Sequence, residues 1–275
     1  MRLGLGAYTC LIDGEPALLR LLPARWDRFR PAPEAPGGSI RLTLGIADDI
    51  GCDGGPEDGW QRQGSGQAVC VRRGRPMFAL RHDGGPEVTV LVRRALDGHV
   101  RLGVLYGMLL ALHRTCVGLH GVTLLCGDEI VILSAPSGTG KTTLARLLET
   151  YSGAIVLNGD FALLTPTAEG VFFEPTPFCG TSGRCLNHRV RVNRAVFLEQ
   201  APDNRWRRLT GREAMIRFAG NAFVPDWDEA LCRKTQENIV QCVSALRVNA
   251  FGFAPVPAAA EMFSECLRND EERSS

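Results

Sequence analysis

Over the first third of the chain, apolar positions alternate with polar ones or run together in short segments at residues 39–46, 67–72, 76–81 and 87–92. Clusters of Gly, Pro and Asp separate them, and that combination predicts strands joined by turns. The Pro/Gly-rich stretches at 31–38 and 51–59 read as loops. Residues 98–115 are apolar around most of a helical circumference, which predicts a buried helix. The longest apolar run, 102–112, is too short to cross a bilayer. Two strands at about 119–125 and 130–134 flank Gly127-Asp128, a strong hairpin signal. An amphipathic helix follows and ends at Gly153. Short strands are expected at 154–157, 171–173 and 194–198. Thr210 with Glu213, and Asp226 with Glu229, have capping-box spacing and predict helices over about 211–220 and 226–246. Residues 247–253 read as a strand, Pro257 opens a last helix, and the polar tail from Arg268 is expected to fray. The pattern is that of an α/β protein: a β-rich region over 1–96, then a domain over 97–275.

Composition narrows the classes of partner. The 275 residues carry a formal charge of +1, so nothing demands a nucleic acid or a membrane surface as partner. Arg72, Arg73, Arg75 and Arg81 offer a basic face for an acidic partner, but as a charge run between strands they read first as solvated. Asp48 and Asp49 likewise read as a solvated loop rather than a metal site. None of the ten cysteines forms a CxxC pair or has zinc-ligand spacing. Most sit in apolar runs, where Cys behaves as a small hydrophobe. Residues 1–10 lack a cationic segment followed by an apolar one. Reduced thiols and a cytoplasmic location are the expectation.

Chemistry concentrates in residues 130–148, IVILSAPSGTGKTTLARLL. Ala135, Gly140, Lys141 and Thr142 fit the phosphate-binding loop pattern, with Ala at its first Gly. Polyphosphate needs several backbone N–H groups converging at a helix N-terminus, where the dipole favours negative charge. Ser137, Gly138, Thr139, Gly140, Lys141, Thr142 and Thr143 would supply that cradle. Gly138 and Gly140 let the backbone bend without a Cβ in the way. Lys141 would reach the β- and γ-phosphates, and the Thr142 hydroxyl would help hold Mg²⁺. Only Lys141 and Lys234 are lysines, so 29 of the 31 basic residues are arginine. One of the two lysines thus stands where a compact ammonium is needed. Asp160, just past the 154–157 strand, is placed to reach Mg²⁺ as well, although Asn158-Gly159-Asp160 is also good turn chemistry. The 176–183 loop carries small polar groups suited to closing over a phosphate. Among Arg184, Arg189, Arg191 and Arg194, one or two are candidates to clamp a transferring phosphoryl group.

The stretch from Leu119 to Asp160 resembles the HPr kinase/phosphorylase family, whose catalytic domain is related to ATP-dependent phosphoenolpyruvate carboxykinase. The resemblance rests on His120-Gly121 opening the strand, on the hairpin into APSGTGKT, and on the acidic site at Asp160. His120 stands 21 residues before Lys141. PTPFCGTSG (175–183) and RVRVNRAVFLEQ (189–200) resemble segments of the smaller HPr-kinase-like proteins, including kinases associated with modified-peptide pathways. The resemblance covers about 118–265 and leaves the N-terminal region out. It implies a phosphoenolpyruvate-carboxykinase-like P-loop fold with a mixed sheet, Mg-ATP as phosphoryl donor, and a hydroxyl acceptor, typically a serine. It places Lys141, Asp160 and His120 at the reaction, with Thr142 and Asp160 on the metal.

Two departures qualify it. The family has two adjacent aspartates after that strand, and here the first position is Gly159. The HPr-specific Glu-Ile-Arg-Gly run is absent, so HPr itself is not the expected acceptor. The expected activity is transfer of the γ-phosphoryl group of ATP to a hydroxyl of a peptide, protein or small metabolite, with a homo-oligomer as one expected state. The alternative is an ATP-binding regulatory or scaffold protein whose catalysis has decayed. The region over 1–96 is expected to help select the acceptor.

Overall fold

The computed structural model describes residues 1–31, 35–50, 58–64 and 66–272. Residues 32–34 and 51–57 of the expected loops, Cys52 among them, lie outside the described residues. The chain forms two units, one of 1–116 with 224–237, the other of 117–223 with 238–275.

The four strands expected in the first region are all present, and the first unit adds three more. Its elements are β1 (Arg2–Leu5), β2 (Tyr8–Gly14), α1 (Pro16–Leu19), a short 3-10 helix at Ala24–Arg28, β3 (Gly38–Ile46), β4 (Gly59–Arg62), β5 (Gln67–Arg72), β6 (Arg75–His82), β7 (Glu87–Val92) and α2 (Asp97–Ala111). The strands lie in the order β1-β2-β3-β7-β6-β5-β4. The β2–β3 and β3–β7 pairs are parallel. Helix α2 packs on β3, β6 and β7. It does so closely because Gly103 and Gly107 face the sheet. A Cβ on Gly103 would lie 2.5 Å from Val90 Cγ1, and one on Gly107 would lie 3.0 Å from Val90 Cγ2. The expected boundary at 96/97 is therefore displaced: the helix assigned to the nucleotide domain has its apolar face on the first sheet. On the sheet's other face, Ile50, Val69, Val71 and Ala79 form a second small core.

The second unit contains β8 (Val117–Cys126), β9 (Glu129–Ser134), α3 (Lys141–Ser152), β10 (Ile155–Asn158), β11 (Phe161–Thr167), β12 (Gly170–Glu174), β13 (Val190–Val192), β14 (Arg194–Gln200), β15 (Arg205–Arg208), α4 (Gly211–Asn221), β16 (Arg247–Phe253) and α6 (Pro257–Glu272). Helix α5 (Glu229–Ala245) starts in the 224–237 segment and ends in this unit. The strand order is β13-β12-β11-β8-β9-β14-β16-β15, with β10 also on β8. Strand β14 runs parallel to β9 and β16, and the remaining pairs are antiparallel, so the sheet is mixed as expected. Helices α3 and α6 cover one face over Leu133, Val196, Leu198 and Phe251. On the opposite face Phe197 meets Phe218 of α4, ring centroids 5.3 Å apart. Burial on both faces accounts for the unbroken apolar run of β14.

Three local readings change. The capping box at Thr210 and Glu213 forms. The second does not: Asp228, not Asp226, accepts from the N–H groups of Ala230 and Leu231, and α5 begins at Glu229. The polar tail remains helical to Glu272. Reduced thiols do not hold throughout, because Cys179 and Cys185 are joined by a disulfide. The other seven described cysteines are free. No described helix is long and apolar enough to cross a membrane.

Candidate active site

The site is assembled where three turns of the second unit meet. The first is the loop from β9 into α3. Its N-cap is Gly140, in the left-handed region at φ 111°, with no side-chain cap on the helix. A Cβ there would lie 2.8 Å from Phe253 Cζ, so glycine is required for conformation and for space. Lys141 is buried, and its Nζ donates to the carbonyls of Ala135 (2.6 Å) and Pro136 (3.1 Å). An ammonium has three donors, so the loop fixes the charge at its centre while one donor remains. Thr139 Oγ donates to the Pro136 carbonyl at 2.9 Å, which stiffens the same turn. Ser137, Gly138, Thr142 and Thr143 are exposed, and Thr139 and Gly140 are half-buried.

The second turn joins β10 to β11. Both strands pair with β8 on the same side, and the chain steps between them at Asn158-Gly159-Asp160. Asn158 is fully buried, and its Oδ1 accepts from the N–H groups of Asp160 and Phe161. This is the turn chemistry that the sequence offered as the plain reading. Here it also presents the carboxylate. Across the gap, the Gly121 N–H donates to the Asp160 carbonyl at 3.0 Å, and His120 is paired in register with Phe161. His120 Nε2 lies 3.6 Å from Asp160 Oδ1.

Lys141, His120 and Asp160 sense one another. Burial holds the Asp160 carboxyl above the usual carboxylate range, against the pull of His120 and Lys141. Burial, and then the Lys141 ammonium, hold His120 below the usual imidazole range, against Asp160. Burial also lowers Lys141, opposed by Asp160. At neutral pH the imidazole is therefore neutral, and its contact with Asp160 is not an ion pair.

The third turn is the loop at 175–185, closed by the Cys179–Cys185 disulfide. It packs directly on Gly159. Ser182 Oγ donates to the Cys179 carbonyl at 2.8 Å. A Cβ on Gly159 would lie 2.1 Å from Ser182 Oγ and 2.7 Å from that carbonyl. An aspartate at this position, where the family that the sequence resembles has its first, has no space here: the loop occupies its place. Thr142, Gly159, Ser182 and Arg184 line one hollow of about 270 Å³ between α3 and this loop.

The four candidate arginines separate cleanly. Arg194 is fully buried on Glu129 (2.9 Å) and Asn249 (2.9 Å), so it is structural. Arg189 pairs with the buried Glu174 and lies over the Phe172 ring. Arg191 is exposed on β13. Arg184 alone of the four lines the hollow beside Thr142, paired with Glu149. Sequence reasoning did not single out Ser182, Glu149 or Phe253, and gave Asn158 only as turn chemistry. Their roles depend on loops brought together by the sheet, and no spacing announces them.

Thr142 and Asp160 offer oxygen donors, which suit Mg²⁺. Among the described residues no group of three or more His, Cys, Asp or Glu would hold a metal alone. A site with one carboxylate and one hydroxyl is what Mg²⁺ bound mainly through phosphates requires.

No protein-family model and no curated protein matches the chain. Among solved structures, the Hpr(Ser) kinase/phosphatase from Coxiella burnetii is similar over 57% of this chain and 92% of its own, at 11% identity and a TM-score of 0.34. A likeness this distant leaves function to be argued from the loop geometry.

Proposed function

We propose that this protein is a Mg-ATP-dependent kinase that transfers the γ-phosphoryl group to a serine or other hydroxyl of a peptide, protein or small metabolite. One observation carries the reading: a buried lysine, tied to two carbonyls of a glycine-bent loop at a helix N-terminus, stands in the electrostatic reach of a carboxylate and a neutral imidazole. The backbone N–H groups of 137–143 and the helix dipole bind phosphate oxygens. Lys141 places its charge on the β- and γ-phosphates. Thr142 and Asp160 hold Mg²⁺, which supplies neutralisation of phosphate charge when bound. Asp160 serves the metal and the proton of the attacking hydroxyl in turn, and neutral His120 is placed to donate a hydrogen bond beside it. A loose transition state asks little of a base, so a single aspartate suffices.

A second reading, an ATP-binding regulatory or scaffold protein without turnover, draws on the single aspartate and the loop packed against Gly159. Calorimetric titration of ATP with and without Mg²⁺ tests the site in the native chain, Lys141→Ala and Asp160→Asn. Binding is expected to need Lys141 always and Asp160 only with Mg²⁺. Absence of binding by well-folded native protein would sink both readings. Binding without phosphate transfer to any serine-containing peptide or metabolite offered would favour the second.

A further inference from the structure

The arginines of the first sheet were read from the sequence as solvated, and their arrangement says more. Arg72, Arg73 and Arg75 sit at the β5–β6 turn, and Arg93 and Arg94 follow the end of β7. Strand β6 runs antiparallel to β7, with Phe78 opposite Val92. The start of β6 and the end of β7 therefore lie at the same end of the sheet. All five arginines line one hollow of about 1200 Å³. That exceeds the ~300–1,000 Å³ usual for a small-molecule site. All five are exposed, and none forms an ion pair with a carboxylate among the described residues. Among the described residues the hollow is lined by one acid, Asp48, against five guanidinium groups, in a chain whose formal charge is only +1.

The turn adds an independent observation. Arg72 pairs with Arg75 across a two-residue turn made of Arg73 and Gly74. Both have positive φ, 51° and 64°, and Arg73 is the only non-glycine residue with positive φ among the described residues. Such turns favour Asn, Asp or Gly at that position, and an arginine there is held at a conformational cost. Strain carried at a charged hairpin tip points to use of the charge.

The lining also selects among anions. Among the described residues it contains no Phe, Trp or Tyr on which bases would stack. It does contain Met77 and Leu96, the latter 48% exposed. Guanidinium forks around an exposed aliphatic side chain match carboxylates interspersed with apolar residues.

We propose that this arginine-lined hollow is a docking site for an acidic peptide segment of a partner protein, its carboxylates on Arg72, Arg73, Arg75, Arg93 and Arg94 and an apolar side chain on Leu96. The site is independent of the phosphate-binding loop and of the kinase reading. The test is fluorescence anisotropy on the full chain with a short labelled peptide of alternating Glu and Leu. A Lys/Leu peptide and a charge-matched oligothymidylate are the comparators. Saturable, salt-sensitive binding of the Glu/Leu peptide is expected, weakened roughly tenfold or more in Arg93→Glu/Arg94→Glu, whose two positions lie in an exposed connection. Arg73→Gly relieves the turn and keeps the fold, yet is expected to weaken the peptide by removing one contact. Lys141→Ala is expected to bind the peptide as the native chain does. Undiminished binding by the double charge reversal would overturn the proposal. So would tighter binding of oligothymidylate, which would make the hollow a nucleic-acid site, or no saturable binding of the Glu/Leu peptide.

Discussion

At position 159 a single missing side chain reorganises the site. Gly159 looked like the loss of a catalytic aspartate, but its neighbours explain it: Ser182 Oγ and the Cys179 carbonyl fill the space of a Cβ. Gly159→Ala is therefore expected to cost about 1–3 kcal/mol in urea unfolding, as overpacking does. Gly159→Asp should cost more and should not raise activity. Ser182→Gly should recover part of the loss in the Ala variant, since the carbonyl stays in place. Asp160 gives a second test, through pH. Its raised pKa means that the native state keeps a proton the unfolded chain has released. Native stability then falls as pH rises from the usual carboxylate value through the raised one. His120, shifted down, acts in the opposite sense: stability is lost as pH falls from the usual imidazole value through the lowered one. Asp160→Asn removes the first contribution and, by taking away the carboxylate that opposes it, deepens the downward shift of His120. Its melting temperature should exceed that of the native chain at neutral pH, the gap closing below the carboxylate range. A gap that stays constant with pH would show that burial does not govern this carboxylate. The loop residues were legible because a phosphate-binding loop is local. The constraint on Gly159 was not, because it comes from a segment that the sheet folds back upon it.

Strand β9 leads into the loop, and its central place in the sheet depends on one buried cluster. Arg194 on β14 donates to Glu129 on β9 and to Asn249 on β16, and Arg247 also reaches Glu129. The parallel pairing of these three strands thus carries a charge link at one end. Arg194→Met would leave the Glu129 carboxylate buried with half its partners. A loss of about 3–5 kcal/mol is expected in denaturant unfolding. Arg194→Met with Glu129→Leu should recover most of it, because a buried pair is weak evidence of net stability while a broken one is costly. If both variants lose the same amount, the cluster matters for packing volume rather than charge. Legibility at this scale followed the range of the signals. The Gly127-Asp128 hairpin, the Thr210 capping box and the 247–253 strand are set by neighbouring residues, and all three are found. The start of α5 was misread because Asp226 and Asp228 both offer a cap. The 225–228 turn decides between them: the Asp228 N–H donates to the Pro225 carbonyl, leaving the Asp228 side chain to cap the helix. Arg194 stood among four candidate phosphate clamps because nothing in its own neighbourhood shows that Glu129 and Asn249 are its partners.

The whole chain is threaded so that neither unit is a continuous piece. It enters the second unit at Val117, contributes 224–237 to the first, and returns at Asn238. The segment is tied in by apolar contacts: Trp227 lies 4.6 Å from Trp60 by ring centroids, and Leu231 is buried. The hydrophobic pattern cannot reveal such an excursion, since α5 reads as one helix from end to end. The boundary taken from that pattern, 96/97, would also strip α2 of β3, β6 and β7, the strands on which Gly103 and Gly107 seat it. Deleting residues 1–96 is therefore expected to give an aggregating chain, exposing the buried faces of α2 and of 224–237 together. Deleting 1–116 should improve matters only in part, because Trp227 and Leu231 remain without their partners. Deleting 1–116 and replacing 224–237 with a Gly/Ser linker of equal length should give a soluble second unit, since the same number of residues already spans the excursion. Size-exclusion chromatography and a single cooperative thermal transition distinguish the three. A soluble, cooperatively folded chain beginning at residue 97 would instead assign α2 to the second unit and return the boundary to where the hydrophobic pattern set it.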